Sequence, residues 1–491
     1  MPPDALSDMS AMKPARVHVR LQRALLLVLI VAAAPLVRAE LPPELTRILS
    51  RHKLPRDAVS LVVQAVDEPT PRLALNVDVP RNPASTIKLV TTWSALDLLG
   101  PTHTWATRLY ALGPIKDGVL DGDLLIEGGG DPYLVLEDFW AMLGELRRAG
   151  VRDIRGRLLV DDTRFATDET DSAAFDGSPF RLYNTLPSAL MVNFQSVAFN
   201  FDPDAARGRV SITTVPELPN LVIDNHIRLT KGECRGNAPR ITMQQAAPDA
   251  PDHIVFGGEM PYTCHGYRLA RSVMTPASYA YGVFKSLWAH WGGSLDGGLG
   301  LAARPRGKTP LVTWRSRHLG EIIRPLNKWS NNLMTRMLLY SLAESRYPAP
   351  VTRQQGATLV REHLAARGLD TSALIIDNGS GLSRDARVTA SFMSALLKLA
   401  WREPTMPEFL ASLAIVGKDG TMRKRFRRGS EAGRMHLKTG SLDNVAAIAG
   451  YVHAPGGRSF VVALMVNYRG ANWGAGRELQ DALLAWTFRQ Q

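Results

Sequence analysis

Lys438-Thr439-Gly440-Ser441 stands directly ahead of the last hairpin of this chain. Val445 to Val452 and Phe460 to Val466 read as two apolar strands, and His453-Ala454-Pro455-Gly456-Gly457-Arg458 is the turn between them. The tetrapeptide therefore falls on a strand that leads into the hairpin. Lys438 can supply positive charge to a site and to a substrate carboxylate. Gly440 leaves room for substrate against the strand, and the N–H of Ser441 is a candidate oxyanion donor. The bland alternative is a chance tripeptide at a strand edge, which its order and context argue against. A last helix, Glu478 to Phe488, carries Leu479, Leu483 and Trp486 on one face. It is expected to pack on the sheet, because its polar face is not basic enough for lipid.

Working back along the chain, Ser330-Asn331-Asn332 follows Lys328-Trp329 at or near a helix start. A serine there can relay a proton to a leaving amine, and the amide of Asn332 can hold a substrate backbone group or orient a lysine. The competing reading is a plain helix N-cap serine. Further back, Asn82-Pro83-Ala84-Ser85-Thr86-Ile87-Lys88 opens a helix that runs to about Leu99, with Leu89, Trp93, Leu96 and Leu99 as its apolar stripe. Ser85 and Lys88 are three apart, so both fall on one helix face. A serine at a helix start gains from the dipole and nearby N–H groups. A lysine beside it can take the hydroxyl proton once burial or another cation lowers its pKa. Alone the pattern is weak. Ser50-Arg51-His52-Lys53 repeats it, but Lys53 runs into Leu54-Pro55 and cannot open a helix.

The rest of the chain reads as follows. Pro43 to Arg51 is a short helix, and Val59 to Val66 and Leu73 to Val77 form a hairpin across Asp67-Glu68-Pro69-Thr70-Pro71. From about Thr104 to Arg271 short strands alternate with Gly, Asp and Pro turns, and few helices are expected. Helices return at Ala277 to Trp291, Ser330 to Glu344, Gln354 to Arg367 and Ala390 to Trp401. With 491 residues, 45% hydrophobic and 21% charged, the chain is an ordinary folded protein of several domains. Disordered, collagen-like and polytopic membrane classes are excluded.

The net charge of +12 is the unusual number. Part of it sits in a secretory leader. Lys13, Arg16, Arg20 and Arg23 precede the apolar run Ala24 to Ala34, and Pro35-Leu36-Val37-Arg38-Ala39 offers cleavage after Ala39. An uncleaved anchor is the alternative, although the run is short for a membrane span; Met9 and Met12 are alternative starts. Residues 1–39 hold five Lys or Arg and two Asp, so nine of the twelve charges stay with the mature chain. In an oxidising compartment Cys234 and Cys264 are expected to form one disulfide within one subdomain, against two free buried thiols. The histidines show no paired ligand spacing, so neither metal nor cofactor is expected. The glycines at 128–130 lack the spacing of a dinucleotide loop. The run Arg423-Lys424-Arg425-Phe426-Arg427-Arg428 reads as a solvated face or, more sharply, as a loose contact with an anionic envelope polymer; nucleic acid is not an expected partner.

Ser-x-x-Lys, Ser-x-Asn and Lys-Thr-Gly occur here in the order known for penicillin-binding proteins and serine β-lactamases. Ser330 lies 245 residues beyond Ser85, and Lys438 lies 108 beyond Ser330. The sequence resembles the class C low-molecular-mass penicillin-binding proteins, the D-alanyl-D-alanine carboxypeptidase/endopeptidase group (peptidase family S13), over almost all of the mature chain. That family places extra domains in the first gap. Gly128-Gly129-Gly130-Asp131-Pro132, Asp377-Asn378-Gly379-Ser380-Gly381-Leu382-Ser383 and Gly417-Lys418-Asp419-Gly420-Thr421 are similar as well. Asn331 departs from the commoner aspartate and, as the middle residue, is expected to matter little.

The resemblance implies an α+β fold. It has a transpeptidase domain of antiparallel sheet flanked by helices, at 40–105 and 276–491, interrupted by a β-rich insertion at 106–275. It further implies that Ser85 is acylated, that Lys88 is its general base, that Ser330 and Asn332 complete the centre, and that Lys438, Thr439 and Gly440 line it. The expected partners are peptidoglycan peptides and β-lactams, and the expected location is the periplasm. Two rivals stand beside this reading. A β-lactamase shares the motifs but is much shorter, and no Glu-x-x-Leu-Asn follows Ser330. A non-catalytic envelope-binding protein would not need all three motifs intact.

Overall fold

The computed structural model describes residues 40–234 and 239–491. The leader reading falls on residues outside these. Among the described residues no helix is long and apolar enough to cross a membrane.

The catalytic motifs gather around a six-stranded antiparallel sheet. Its order is Ala414–Ile415, Met435–Leu442, Val445–His453, Ser459–Asn467, Val59–Ala65 and Leu73–Leu75. The first strand of the mature chain thus pairs with the last, Val62 opposite Ala463. The central strands are buried along nearly their whole length and mostly apolar, because both faces are covered. Ala447, Ala449 and Tyr451 share a core with Trp93, Leu338, Phe392 and Leu397. Neighbouring side chains on a strand point the opposite way. Accordingly Ala446 faces Gly476 of the final helix, Ala475–Phe488, where a Cβ would come within 2.4 Å of it. Leu479 and Leu483 of that helix are buried against the sheet.

A second core is built from residues 109–312. Its largest sheet has the order Leu299–Leu301, Leu158–Asp161, Leu124–Glu127, Ala106–Ala111 and Val312–Arg315. Three smaller sheets accompany it, around Asp153–Ile154, Val197–Asp204 and His253–Pro261. The helix Leu136–Arg148 also belongs here, although few helices were expected in this region. Phe139, Met142, Leu143 and Leu146 make its buried stripe at helical spacing. The helix Pro276–His290 buries Tyr279, Val283, Phe284 and Trp288 in this same second core. Cys234 and Cys264 are joined by a disulfide with their Cα atoms 4.9 Å apart.

Candidate active site

The turn carrying Ser85 is a short 3-10 helix, Ala84–Ile87, which runs into the helix Lys88–Leu99. Asn82 pins it. Its backbone N–H donates to Asn467 Oδ1 at 2.7 Å, its Oδ1 accepts from the Ala84 N–H at 2.9 Å, and its Nδ2 donates to the Ser383 carbonyl at 2.9 Å. The sheet and the 377–383 loop therefore hold the turn from two sides. Ala84 has φ of +44°, a strained conformation for a residue with a side chain. The Ser85 N–H makes no hydrogen bond among the described residues, so it is free to donate.

Lys88 is fully buried. Its Nζ lies 3.0 Å from Ser85 Oγ and 2.7 Å from Asn332 Oδ1, and it also meets the Ser380 carbonyl oxygen. Burial, and then the charge of Lys438, push its pKa well below the ordinary lysine value. A neutral amine has two N–H donors and one lone pair. The Asn332 and Ser380 oxygens take the two donors, so the lone pair is left for the Ser85 hydroxyl proton.

Ser330 sits between two helices, Leu319–Trp329 and Asn332–Glu344. It has φ of +59° and ψ of +43°, the left-handed region. It is not the N-cap of the second helix. Asn331 is, accepting from the Met334 N–H at 3.0 Å. The middle residue of the motif therefore holds the helix that presents Asn332. The left-handed turn aims Ser330 Oγ at Lys438 Nζ, 2.8 Å away. Lys438 is fully buried too, its Nζ also donates to the Thr439 carbonyl at 2.8 Å, and burial pulls its pKa down to about 7. Thr439 Oγ1 meets Thr421 Oγ1 at 2.9 Å. A Cβ on Gly440 would lie 2.7 Å from the Pro83 carbonyl oxygen and 3.0 Å from Ser85 N. The strand and the nucleophile turn touch there, and only glycine fits between them. Ser85, Ser330, Asn332 and Ser441 line one cleft.

Groups outside the three motifs also stand at the site, among them the Tyr183 carbonyl, which accepts from Asn332 Nδ2 at 3.2 Å, and Asp176 and Asn472 in the cleft wall. The 377–383 loop supplies the Ser380 carbonyl to Lys88. It also supplies Gly381, where a Cβ would collide with the Ala84 carbonyl oxygen at 2.0 Å. The 417–421 segment acts at one remove. Asp419 Oδ2 takes Lys328 Nζ at 2.6 Å, just ahead of Ser330.

The family model for the D-Ala-D-Ala carboxypeptidase 3 (S13) family matches residues 41–490. The chain belongs to that family. This member is 31% identical over 417 residues to the D-alanyl-D-alanine carboxypeptidase of Actinomadura sp. strain R39, covering 82% of this chain and 76% of that one. It is 24% identical over 386 residues to the D-alanyl-D-alanine carboxypeptidase DacB of Haemophilus influenzae, covering 78% and 80%. Penicillin-binding protein 4 of Haemophilus influenzae superposes with a TM-score of 0.77 at 21% identity, over 91% of this chain and 99% of that one. A second structure of that protein holds a β-lactam and superposes with a TM-score of 0.73. This chain is thus a D-Ala-D-Ala carboxypeptidase of the serine type, with the α+β penicillin-binding fold.

Proposed function

We propose that this carboxypeptidase cleaves D-alanyl peptides of peptidoglycan in the periplasm through an acyl-enzyme on Ser85. The observation that carries the reading is the position of the Lys88 amine, 3.0 Å from Ser85 Oγ with its two other contacts both acceptors. Ser85 Oγ attacks the carbonyl carbon of the penultimate D-alanine, and its proton passes to Lys88 Nζ. The oxyanion rests between the N–H groups of Ser85 and Ser441. The C–N bond then breaks, and the proton taken up by Lys88 passes by way of Ser330 to the departing amine, which leaves Lys88 neutral and Lys438 charged. Lys438 and Thr439 hold the carboxylate of the leaving D-alanine. Water adds to the ester as Lys88 takes its proton, Lys88 returns that proton to Ser85 Oγ as the ester bond breaks, and the shortened peptide leaves. A β-lactam enters the same cleft and stays esterified to Ser85.

The leader, cleaved after Ala39, accounts for the location. The shared core of residues 109–312 supports an inserted unit running from Ala106 to Arg315 rather than ending at 275, with the peptidase domain on either side. The test is intact-mass spectrometry after penicillin, followed by digestion of muropeptides. One long-lived adduct on Ser85 is expected, with none in Ser85→Ala. Rapid turnover of penicillin would decide for a β-lactamase, and no adduct at all for a non-catalytic protein.

A further inference from the structure

Beside the catalytic cleft lies a second cavity of about 350 Å³. Ser441 and Asn472 line both, so the two adjoin there. Its other wall carries Arg423, Lys424 and Arg425 after the Gly420–Met422 turn, and Arg477 and Gln480 from the final helix. No carboxylate lines it. Arg425 is buried and already neutralised, since its guanidinium binds Asp481 behind the wall. Arg425 Nη1 also donates to Gln480 Oε1 at 3.0 Å. That bond fixes the Gln480 amide and leaves its Nε2 with no hydrogen-bond partner among the described residues, although Gln480 is only 5% exposed. Arg423, Lys424 and Arg477 are exposed and make no ion pair among the described residues. Three cations without an ion pair and one amide donor without a protein partner among the described residues face one cavity, an arrangement that favours an anion.

The position of the cavity says which anion. In the proposed reaction the carboxylate of the leaving D-amino acid lies against Lys438 and Thr439. Thr439 is itself part of the cavity wall, and its hydroxyl meets that of Thr421 on the same wall. A leaving group longer than one residue continues along this wall. We infer that the cavity is a leaving-group subsite for carboxylate-bearing peptide, filled when the amine released belongs to a cross-linked stem peptide and left empty when it is D-alanine alone. The site rests on the Ser85 reading, which fixes the direction of the leaving group.

The test uses the mature chain and three synthetic substrates that share one acyl half. One releases D-alanine, one a peptide with two further carboxylates, and one a peptide with two further lysines. Wild-type kcat/KM is expected to favour the carboxylate peptide over the lysine peptide by about tenfold at low salt. In Arg423→Glu/Arg477→Glu the order of those two peptides should reverse. A reversal cannot come from a general loss of folding. An unchanged ratio overturns the inference. Failure of the Ser85 reading looks different: no peptide is cleaved, or Ser85→Ala still cleaves. In that event calorimetry with the free carboxylate peptide decides the site. Binding that is lost in the double variant upholds it as an anionic-peptide site, and no binding to the wild type overturns it.

Discussion

In the proposed mechanism two buried lysines, Lys88 beside Ser85 and Lys438 beside Ser330, carry the chemistry, and burial lowers the pKa of both. Lys88 is held well below the ordinary value and is the one that must be neutral. Lys438 titrates at about 7 and must be charged to hold a carboxylate. Acylation by an anionic peptide should therefore follow a bell, rising as Lys88 loses its proton and falling as Lys438 loses its own near pH 7 in the free enzyme. Lys438→Gln should lower acylation about a hundredfold and abolish the alkaline limb. It should also move the acid limb upward, because the Lys438 charge is one cause of the low Lys88 value. Stopped-flow acylation across pH 5–9 checks all three. Asp131 shows the opposite sign. It is 4% exposed, and burial pushes its carboxyl up to about 7. A raised carboxyl gives stability that is full below pH 3.8 and lost as pH rises through 7. Asp131→Asn keeps an acceptor for the Tyr133 N–H, now 2.8 Å from Oδ1. It should leave stability at pH 4 unchanged and raise it at pH 8 by about 1–3 kcal/mol, read from thermal melts.

Between elements, the site depends on one close approach. The strand Met435–Leu442 and the Ser85 turn meet at Gly440, and the backbone atoms facing it cannot retreat without moving the nucleophile. Gly440→Ala should cut the rate of penicillin acylation by about 10–100-fold while the protein still folds, at a cost of about 1–3 kcal/mol from overpacking. The same variant shows why part of the site was legible in the sequence. Ser85, Lys88, Ser330, Asn332, Lys438 and Gly440 act through side chains, or the lack of one, so their types and spacing carry the signal. The Ser380 carbonyl acts through the backbone, and no residue type announces a carbonyl acceptor. Asn331 stands where aspartate is commoner, and the two residue types cap a helix equally well. Its part is to cap the helix expected there, which begins at Asn332 because Ser330 ahead of it is left-handed. The helix Leu136–Arg148 was legible and overlooked, since turn-rich neighbours outweighed a sound apolar stripe.

Across the whole molecule, the long gap between Ser85 and Ser330 is filled by a second core that shares no buried residue with the first. The sequence placed the β-rich texture correctly, but a helix such as Pro276–His290 looks the same in either unit, because an apolar stripe does not say which core it fills. The Cys234–Cys264 bond closes a 30-residue separation, and the strands it joins belong wholly to the second unit. In the chain-entropy model a loop of that size contributes about 3–4 kcal/mol. The proposed catalytic residues draw their support from the six-stranded sheet and the helices around Trp93, whose core does not include Cys264. Cys234→Ser/Cys264→Ser should therefore loosen one unit and spare the other. Hydrogen exchange should speed up in residues 197–271, and labelling of Ser85 by penicillin should stay within about twofold of the wild type. If labelling fell in step with the loss of protection, the two cores would unfold as one, and the inserted unit would be holding the site in place after all.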